Sequence, residues 1–491
     1  DVRYGSADKW EYAEVLENQI KEIKQYLEPK QRAARTAKIR AAVKKRKDKF
    51  DSPDGKGKGQ WLSSVFKAHR QNHKLNAVRK KDGTLATTME EVGITVKEKF
   101  EDWFKSVTPI EQRWGTWDKL VEGDTSQMDT ERRIIKHSAR EAEQIQMSHA
   151  EFVREAYPTL SQDKTHMTKA GIPLKEVWKD YLNPIPNSEV IEAMKAPKTG
   201  TAPGESQLMI DTIQHMNSQN TLLITQVFNC FLQNRRIPDA MNTALIRLLP
   251  KTEEGLSDLN KTRPIALMET LIKLYERIMI TRLTQTIERH ELIDLSQYGA
   301  RAHAGTAPPL RVMSDVIEDA RRSGKEVHVV ALDLKKAFDT VEHWSSAMSL
   351  RALGMPEEAV NLLVNFDAGG LTPGDPYEGP GATSKVILDA GHVSPPFTHG
   401  RGVRQGSIGG PIKWIIFMNY WLTWIQSSMR GKGYRMSHDE TTEFIAQMFV
   451  DDSIWALESA DAAQELIRRV ELFCDFHSLI INKSKSEYVS I

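Results

Sequence analysis

Gln447-Met448-Phe449-Val450-Asp451-Asp452-Ser453-Ile454-Trp455-Ala456-Leu457 is the stretch whose reading decides the fold. Apolar residues run up to two adjacent aspartates and resume after them. That pattern is strand, tight turn, strand, with the acids at the bend. Two neighbouring carboxylates repel, so the pair is unfavourable unless a cation sits beside it. Mg²⁺ is the natural candidate, with Mn²⁺ as the substitute, because a hard ion takes carboxylate oxygens and keeps substrate phosphates in its shell. An Asp-Asp bend is also ordinary solvated turn chemistry. A functional reading therefore needs a third acid, phosphate contacts and a nucleic-acid surface from elsewhere in the chain.

At 491 residues the chain is too long for one ordinary core, so two or more domains are expected. No apolar run reaches membrane-spanning length, and no secretory leader is expected. The two cysteines, Cys230 and Cys474, are not spaced as metal ligands and read as reduced core thiols. Net charge is only +1, so information about partners lies in how charge is distributed. Between Lys21 and Lys49 bases crowd together, including Lys44, Lys45, Arg46 and Lys47, against Glu22, Glu28 and Asp48. Phosphate backbone needs such one-sidedness; a solvated helical face produces it too.

Taken in order, residues 1–182 read as a helical, basic N-terminal extension. The Pro/Gly-rich basic loop Lys198-Thr199-Gly200-Thr201-Ala202-Pro203-Gly204 follows, its small residues suited to close approach of a phosphate strand. Ala244–Lys251 and Lys261–Leu267 are extended segments around a polar loop. Their ends carry Lys251 and Arg263, a point charge and a fork suited to a triphosphate. Helices are expected over 268–287 and 315–322. Glu326–Asp333 is a strand ending on an acid, and Asp339 reads as a helix N-terminal acid facing the helix dipole. A Gly/Pro-rich loop spans 369–383, a hairpin is expected near 385–393, and Gly402–Pro411 opens a long apolar helix to about Ser428. A helix over 461–476 and a final strand complete the pattern.

Asp333-Leu334-Lys335-Lys336-Ala337-Phe338-Asp339, Gly402-Val403-Arg404-Gln405-Gly406 and Phe449-Val450-Asp451-Asp452 occur in that order with domain-scale gaps. Together they resemble motifs A, B and C of reverse transcriptases. Leu249–Lys251 with Thr262–Leu267 looks like the fingers motifs. Gln297-Tyr298-Gly299 looks like the segment before motif A, and Asn482–Glu487 is similar to motif D. The Lys198–Gly204 loop and His343 point to the non-LTR retrotransposon and group II intron-like branch.

The resemblance, over about 185–491, implies an α+β right-hand polymerase. It has fingers at 183–330 and palm at 331–491, with the thumb absent or truncated. It implies RNA-directed DNA synthesis by two-metal nucleotidyl transfer, in target-primed retrotransposition. Asp333, Asp451 and Asp452 would hold the metals, with the Leu334 carbonyl as a further ligand. Lys251 and Arg263 would clamp the triphosphate, Phe338 would exclude a ribose 2′-hydroxyl, Gln405 would lie near the templating pair, and Lys485 would attend pyrophosphate. Lys198, Gly200, Gly204, Arg404 and the basic arm at Lys44–Lys47 would touch nucleic acid. The implied partners are an RNA template, a DNA or RNA primer, dNTPs and target DNA, with no membrane and a nuclear location. Gly410-Pro411 departs from the Ser-Pro usual in motif B, and Phe449 stands where many relatives have Tyr. An RNA-dependent RNA polymerase, with Asp339 on a ribose hydroxyl, and a silent nucleic-acid-binding scaffold are the competing readings.

Overall fold

A computed structural model describes residues 75, 77–107, 133–135, 146–160, 166–251, 258–301, 304–368 and 382–491. The basic arm with Lys44, Lys45, Arg46 and Lys47, and the loop 369–381, lie outside the described residues. The chain forms two compact units, each assembled from three segments. One holds residues up to 102, 184–278 and 383–397; the other holds 103–183, 279–382 and 398–491. The contiguous blocks expected from sequence do not express this interleaving. Its cause is a parallel pairing: Ala244, Leu245 and Ile246 sit opposite Ser384, Lys385 and Val386, which draws a late segment back onto an early strand. Two-strand pairing is nonlocal, and local pattern does not encode it.

In the first unit, Ala244–Pro250 and Thr262–Leu267 form the expected antiparallel pair, in register from Leu245↔Leu267 to Pro250↔Thr262. The hairpin expected near 385–393 is found, closed by the Ile387↔Val393 bridge and by Leu388 N to His392 O at 2.8 Å and Ser394 N to Val386 O at 2.9 Å. Its first strand, Ala382–Val386, also joins the sheet in parallel. The helix Ser218–Asn234 starts where the Asn217 side chain accepts from the Asn220 amide and stops at Arg235 in the left-handed region. Such side-chain caps satisfy amides a helix start leaves open. Phe228 and Phe231 bury their rings against Tyr275, with centroids 5.3 and 5.5 Å away. The described part of 77–102 is a short strand pair, Val78–Arg79 with Leu85–Ala86, followed by the helix that begins at Met89.

The second unit is organised on a four-stranded antiparallel sheet in the order Ala446–Phe449, Asp452–Leu457, His328–Leu332, Glu487–Ser490. Strand alternation sends neighbouring residues to opposite faces. Val329 and Ala456 pack with Met313, Val316 and Ala320 of the helix Ala307–Ser323. Val330 and Trp455 pair on the other face, where Trp455 meets Trp421 edge-on at 5.7 Å. Trp421 belongs to the helix Gly410–Ser428, which is buried along most of its length. Its aromatics Phe417, Trp421 and Trp424 all contact Phe473 of the helix Ala460–Phe476. With both faces covered, the central strand is apolar rather than alternating. Besides helices, the described residues before 183 in this unit include the strand pair Arg133–Ile135 with Gln146–Ser148. Among the described residues no helix is long and apolar enough to cross a membrane.

Candidate active site

Register decides where the acids go. Phe449 pairs with Asp452, so the turn consists of Val450 and Asp451 alone. Leu332 pairs with Ser453. Asp333 follows directly on that strand end, near enough for its charge to act on Asp451 and Asp452. One distant acid, Asp333, therefore meets the adjacent pair Asp451-Asp452 at one end of one sheet. Asp452 is exposed, while Asp333 and Asp451 are half-buried. Burial, then the charge of Asp452, raises the Asp451 carboxyl above its usual range. Burial, then Asp333, raises that of Asp452. Both shifts are what crowded carboxylates produce without a counter-charge.

The segment expected to resemble motif D is the counter-charge's source. The Asn482 amide nitrogen donates to the Asp333 carbonyl at 2.8 Å, and Lys335 N donates to Ile480 O at 2.8 Å. The Asn482 side-chain amide bonds the Asp333 carboxylate, and Lys485 Nζ lies 3.8 Å from it. Among the described residues no three carboxylate, imidazole or thiolate side chains are gathered closely enough to hold an ion as they stand. The donor chemistry fits a hard divalent cation, since all three candidates are carboxylates. The gathering is incomplete because Asp333 turns toward Asn482 and Lys485.

The turn itself is strained and heavily held. Val450 has φ +63°, and Asp451 does not share the positive φ. That is the II′ pattern, in which glycine normally occupies the first place. A β-branched residue there is disfavoured. Gln297 is buried, with 1% exposure. Its Oε1 accepts from Val450 N at 3.0 Å and Gly299 N at 2.8 Å, and its Nε2 donates to Val450 O at 3.3 Å. Trp414 Nε1 donates to the same carbonyl at 3.2 Å. Backbone bonds Met448 N to Ser296 O (2.8 Å) and Tyr298 N to Met448 O (2.9 Å) run alongside. Gly299 has no room for a side chain, because a Cβ there would stand 2.3 Å from Val450 N.

Around the acids, Phe338 is half-buried and its ring lies 5.4 Å from that of Trp414. Phe338 O accepts from Val403 N at 2.7 Å, which joins motif A to motif B. Gln405 Nε2 donates to Asp339 Oδ1 at 2.7 Å. Asp339 is buried at the short helix Ala337–Thr340 and orients Gln405, a more specific role than the dipole contact expected from sequence. Leu334 is buried and bridges Ile481. His343 is buried, its Nε2 3.1 Å from Gly402 O, and burial lowers its pKa.

Two expected nucleic-acid contacts are corrected. Arg404 is buried, with 3% exposure. Its guanidinium bonds Phe366 O and its amide faces Asp367 Oδ1 at 3.4 Å, the carboxylate that also pairs with buried Lys413. A cation buried beside a shared carboxylate stays inside, since removing either partner leaves a buried charge exposed to an apolar setting. Gly204 is buried in the first unit, where a Cβ would sit 2.7 Å from Glu269 N. Its small size serves packing against protein backbone rather than a phosphate strand. Lys198 and Gly200 are exposed, and Gly200 N donates to Asp211 at 2.8 Å. Lys251 and Arg263 are exposed at the loop-closed end of the first unit's strand pair, where Lys251 N bonds Lys261 O at 2.8 Å. The residues that sequence reading missed are Gln297's side chain, Trp414, Asn482 and the Asp367–Lys413 pair. A polar residue beside an obligatory glycine was the only local signal for Gln297.

The reverse transcriptase (RNA-dependent DNA polymerase) family matches residues 249–490. A retrovirus-related Pol polyprotein from type-1 retrotransposable element R2 of Nasonia vitripennis is 26% identical over 61% of this chain and 26% of its own length. An RNA-directed DNA polymerase from mobile element jockey of Drosophila funebris is 28% identical over 48% of this chain and 24% of its own. The chain thus spans about a quarter of the length of these relatives. A telomerase structure from Candida tropicalis covers 51% of both chains at 12% identity and a TM-score of 0.36, too slight a likeness to carry weight. With motif B bonded to motif A and the acids of motifs A and C at one sheet end, residues 249–490 match the reverse transcriptase family, and the relatives they resemble are retrotransposon enzymes.

Proposed function

We propose that the chain copies an RNA template into cDNA by adding dNTPs to a DNA or RNA primer end, as the polymerase step of target-primed retrotransposition in the nucleus. The observation that supports it is the sheet register, Leu332 opposite Ser453 and Phe449 opposite Asp452, that brings Asp333 to the sheet end carrying the Asp451 turn. Asp333, Asp451 and Asp452, with the Leu334 carbonyl, are the residues that would hold two Mg²⁺ ions, or Mn²⁺. Bound there, such ions supply Lewis acidity to the primer hydroxyl and to the departing pyrophosphate. Lys251 and Arg263 bind triphosphate oxygens, the first as a point charge and the second as a fork. Phe338, backed by Trp414, is stiff enough to exclude a ribose 2′-hydroxyl. Gln405, oriented by Asp339, lines the base-pair side. Lys485 reaches the leaving phosphate once it parts from Asp333, and Lys198 and Gly200 meet the nucleic-acid backbone.

The buried Asp339–Gln405 bond weighs against the RNA-polymerase reading, which needs Asp339 turned to a ribose. Primer extension on an RNA template tests the proposal. Incorporation of dNTPs over rNTPs that is lost in the D451A/D452A variant is the expected outcome. Equal use of rNTPs, or extension that survives that variant, refutes it.

A further inference from the structure

The Val450–Asp451 turn is held by a residue outside the three polymerase motifs. We infer that Gln297 is a positioning residue for catalysis: its side-chain amide clasps the Val450 backbone on both sides and fixes the strained turn that presents Asp451. The inference rests on the nucleotidyl-transfer reading for its kinetic consequence, but not for its geometry.

Three observations carry it. Val450 stands at φ +63°, in a place where an L-residue with a branched side chain is disfavoured. Left to itself, this turn would relax, and the carboxylate on the next residue would move with it. Gln297 meets the Val450 amide with its oxygen and the Val450 carbonyl with its nitrogen, at 3.0 and 3.3 Å. Both ends of one peptide-flanked residue are thereby fixed by one side chain. Its own freedom is removed by burial and by a further bond from Gly299 N at 2.8 Å. Lastly, Gly299 leaves space for Val450 that no other residue would leave. A buried amide satisfied by backbone would serve stability alone anywhere else in the core. Here every one of its bonds ends on the acid-bearing turn or on the glycine that admits it.

The chemistry of the clasp is also specific. A carboxylate could accept from the Val450 and Gly299 amides, but it could not donate to the Val450 carbonyl. It would also bring another negative charge to a turn already crowded with acids. A neutral amide does both jobs without that charge.

The test uses the full chain, an oligo(dT)-primed poly(rA) template and Mn²⁺ ion as the binding probe. Gln297→Met keeps the volume and removes the clasp. The expected result is kcat for dTTP addition lowered about 10- to 100-fold, with its KM unchanged. Weaker Mn²⁺ binding by electron paramagnetic resonance and faster amide exchange at Val450 and Asp451 should accompany it. Adding Val450→Gly removes the penalty on positive φ, so the double variant should recover about ten-fold of the lost rate. A merely structural role would lower Tm without that rescue and without a change in Mn²⁺ affinity. Wild-type kcat in Gln297→Met below its Tm, or a double variant no faster than the single one, overturns the inference. If the wild-type chain extends no primer, or does so without Asp451 and Asp452, the polymerase reading fails instead. Mn²⁺ affinity and amide exchange then decide the clasp alone.

Discussion

Two hairpins of the second unit have turns of the same length and opposite character. In one, Phe449 pairs with Asp452 around Val450 and Asp451. In the other, Met436 pairs with Asp439 around Ser437 and His438, after a register shift in the strand. Each turn is secured by a side chain from a distant segment. Gln297 holds the first through a neutral amide. Asp319 holds the second through a carboxylate that accepts from Tyr434 Oη at 2.7 Å, Ser437 N at 2.8 Å and Ser437 Oγ at 2.5 Å. These donors, the Ser437 hydroxyl first, lower the Asp319 pKa to about 2. A carboxylate is the stronger anchor when every group it meets is a donor. At the Val450 turn the same anchor would face a carbonyl and crowd the neighbouring acids. The anchor's charge thus follows what the turn carries. The surface turn tolerates an ion, whereas the acid turn needs an amide.

The comparison can be broken most decisively at the acids. Replacing Asp451 and Asp452 by Asn should lower single-nucleotide extension by about 1000-fold or more, while Asp319→Asn leaves it unchanged. Loss of activity in the Asp319 variant, measured in the same assay below its Tm, would erase the distinction between a working turn and a structural one. Gly299→Ala forces a methyl group onto the Val450 backbone. It should cost about 2–4 kcal/mol in urea unfolding, with Gly324→Ala, whose Cβ would meet nothing, as the control for backbone strain alone.

Asp319→Ala leaves the Tyr434 and Ser437 donors without their acceptor. It should cost about 1–3 kcal/mol at neutral pH. The sign of its pH dependence follows from a folded pKa held at about 2, below the ordinary carboxylate value of 3.8. Stability from Asp319 is present above the unfolded value and is lost as pH falls through the folded one. The gap between wild type and variant should therefore narrow from about pH 4 towards about pH 2 in urea titrations. A gap that stays constant would show that charge plays no part in that anchor.

Asp451 behaves in the opposite sense. Its pKa is raised on folding, by burial and then by Asp452. Its repulsion is absent below the usual carboxylate value and enters as pH rises through the raised one. Asp451→Asn should raise Tm at neutral pH in a chelating buffer, by about 2–4 °C, and the gain should vanish near about pH 3. A gain that persists in acid would point to packing rather than to charge.

Much of this was legible in the residues. The apolar runs before and after Asp451 and Asp452 predicted the hairpin that is found, although Asp452 opens its second strand rather than sitting at the bend. The apolar run ending at Asp333 predicted its strand. The helices at Gly410–Ser428 and Ala460–Phe476 lie within a few residues of where periodicity placed them, whereas Ala307–Ser323 begins eight residues before the expected Asp315. Other assignments failed for one shared reason. Arg404 and Gly204 looked like surface contacts because a basic residue and a glycine in a loop usually are. One turns its guanidinium inward onto Phe366 O, the other is pressed against Glu269, and neither neighbour is near in sequence. The roles of Asp339 and Gln297 stayed hidden likewise, since their partners stand 66 and 153 residues away.

By itself, the sequence determined the chemistry available: which acids end strands, which bases end the extended segments, and in what order they come. Those features are local, because burial period and turn residues act over a few neighbours. Only the tertiary structure decided that Asp333 joins Asp451 and Asp452 at one sheet end, that a late segment returns to Ala244–Ile246, and that an uncharged amide holds a valine where glycine is usual. Such arrangements follow from strand register and from packing between distant segments, whose energies depend on shapes that no single stretch of chain contains.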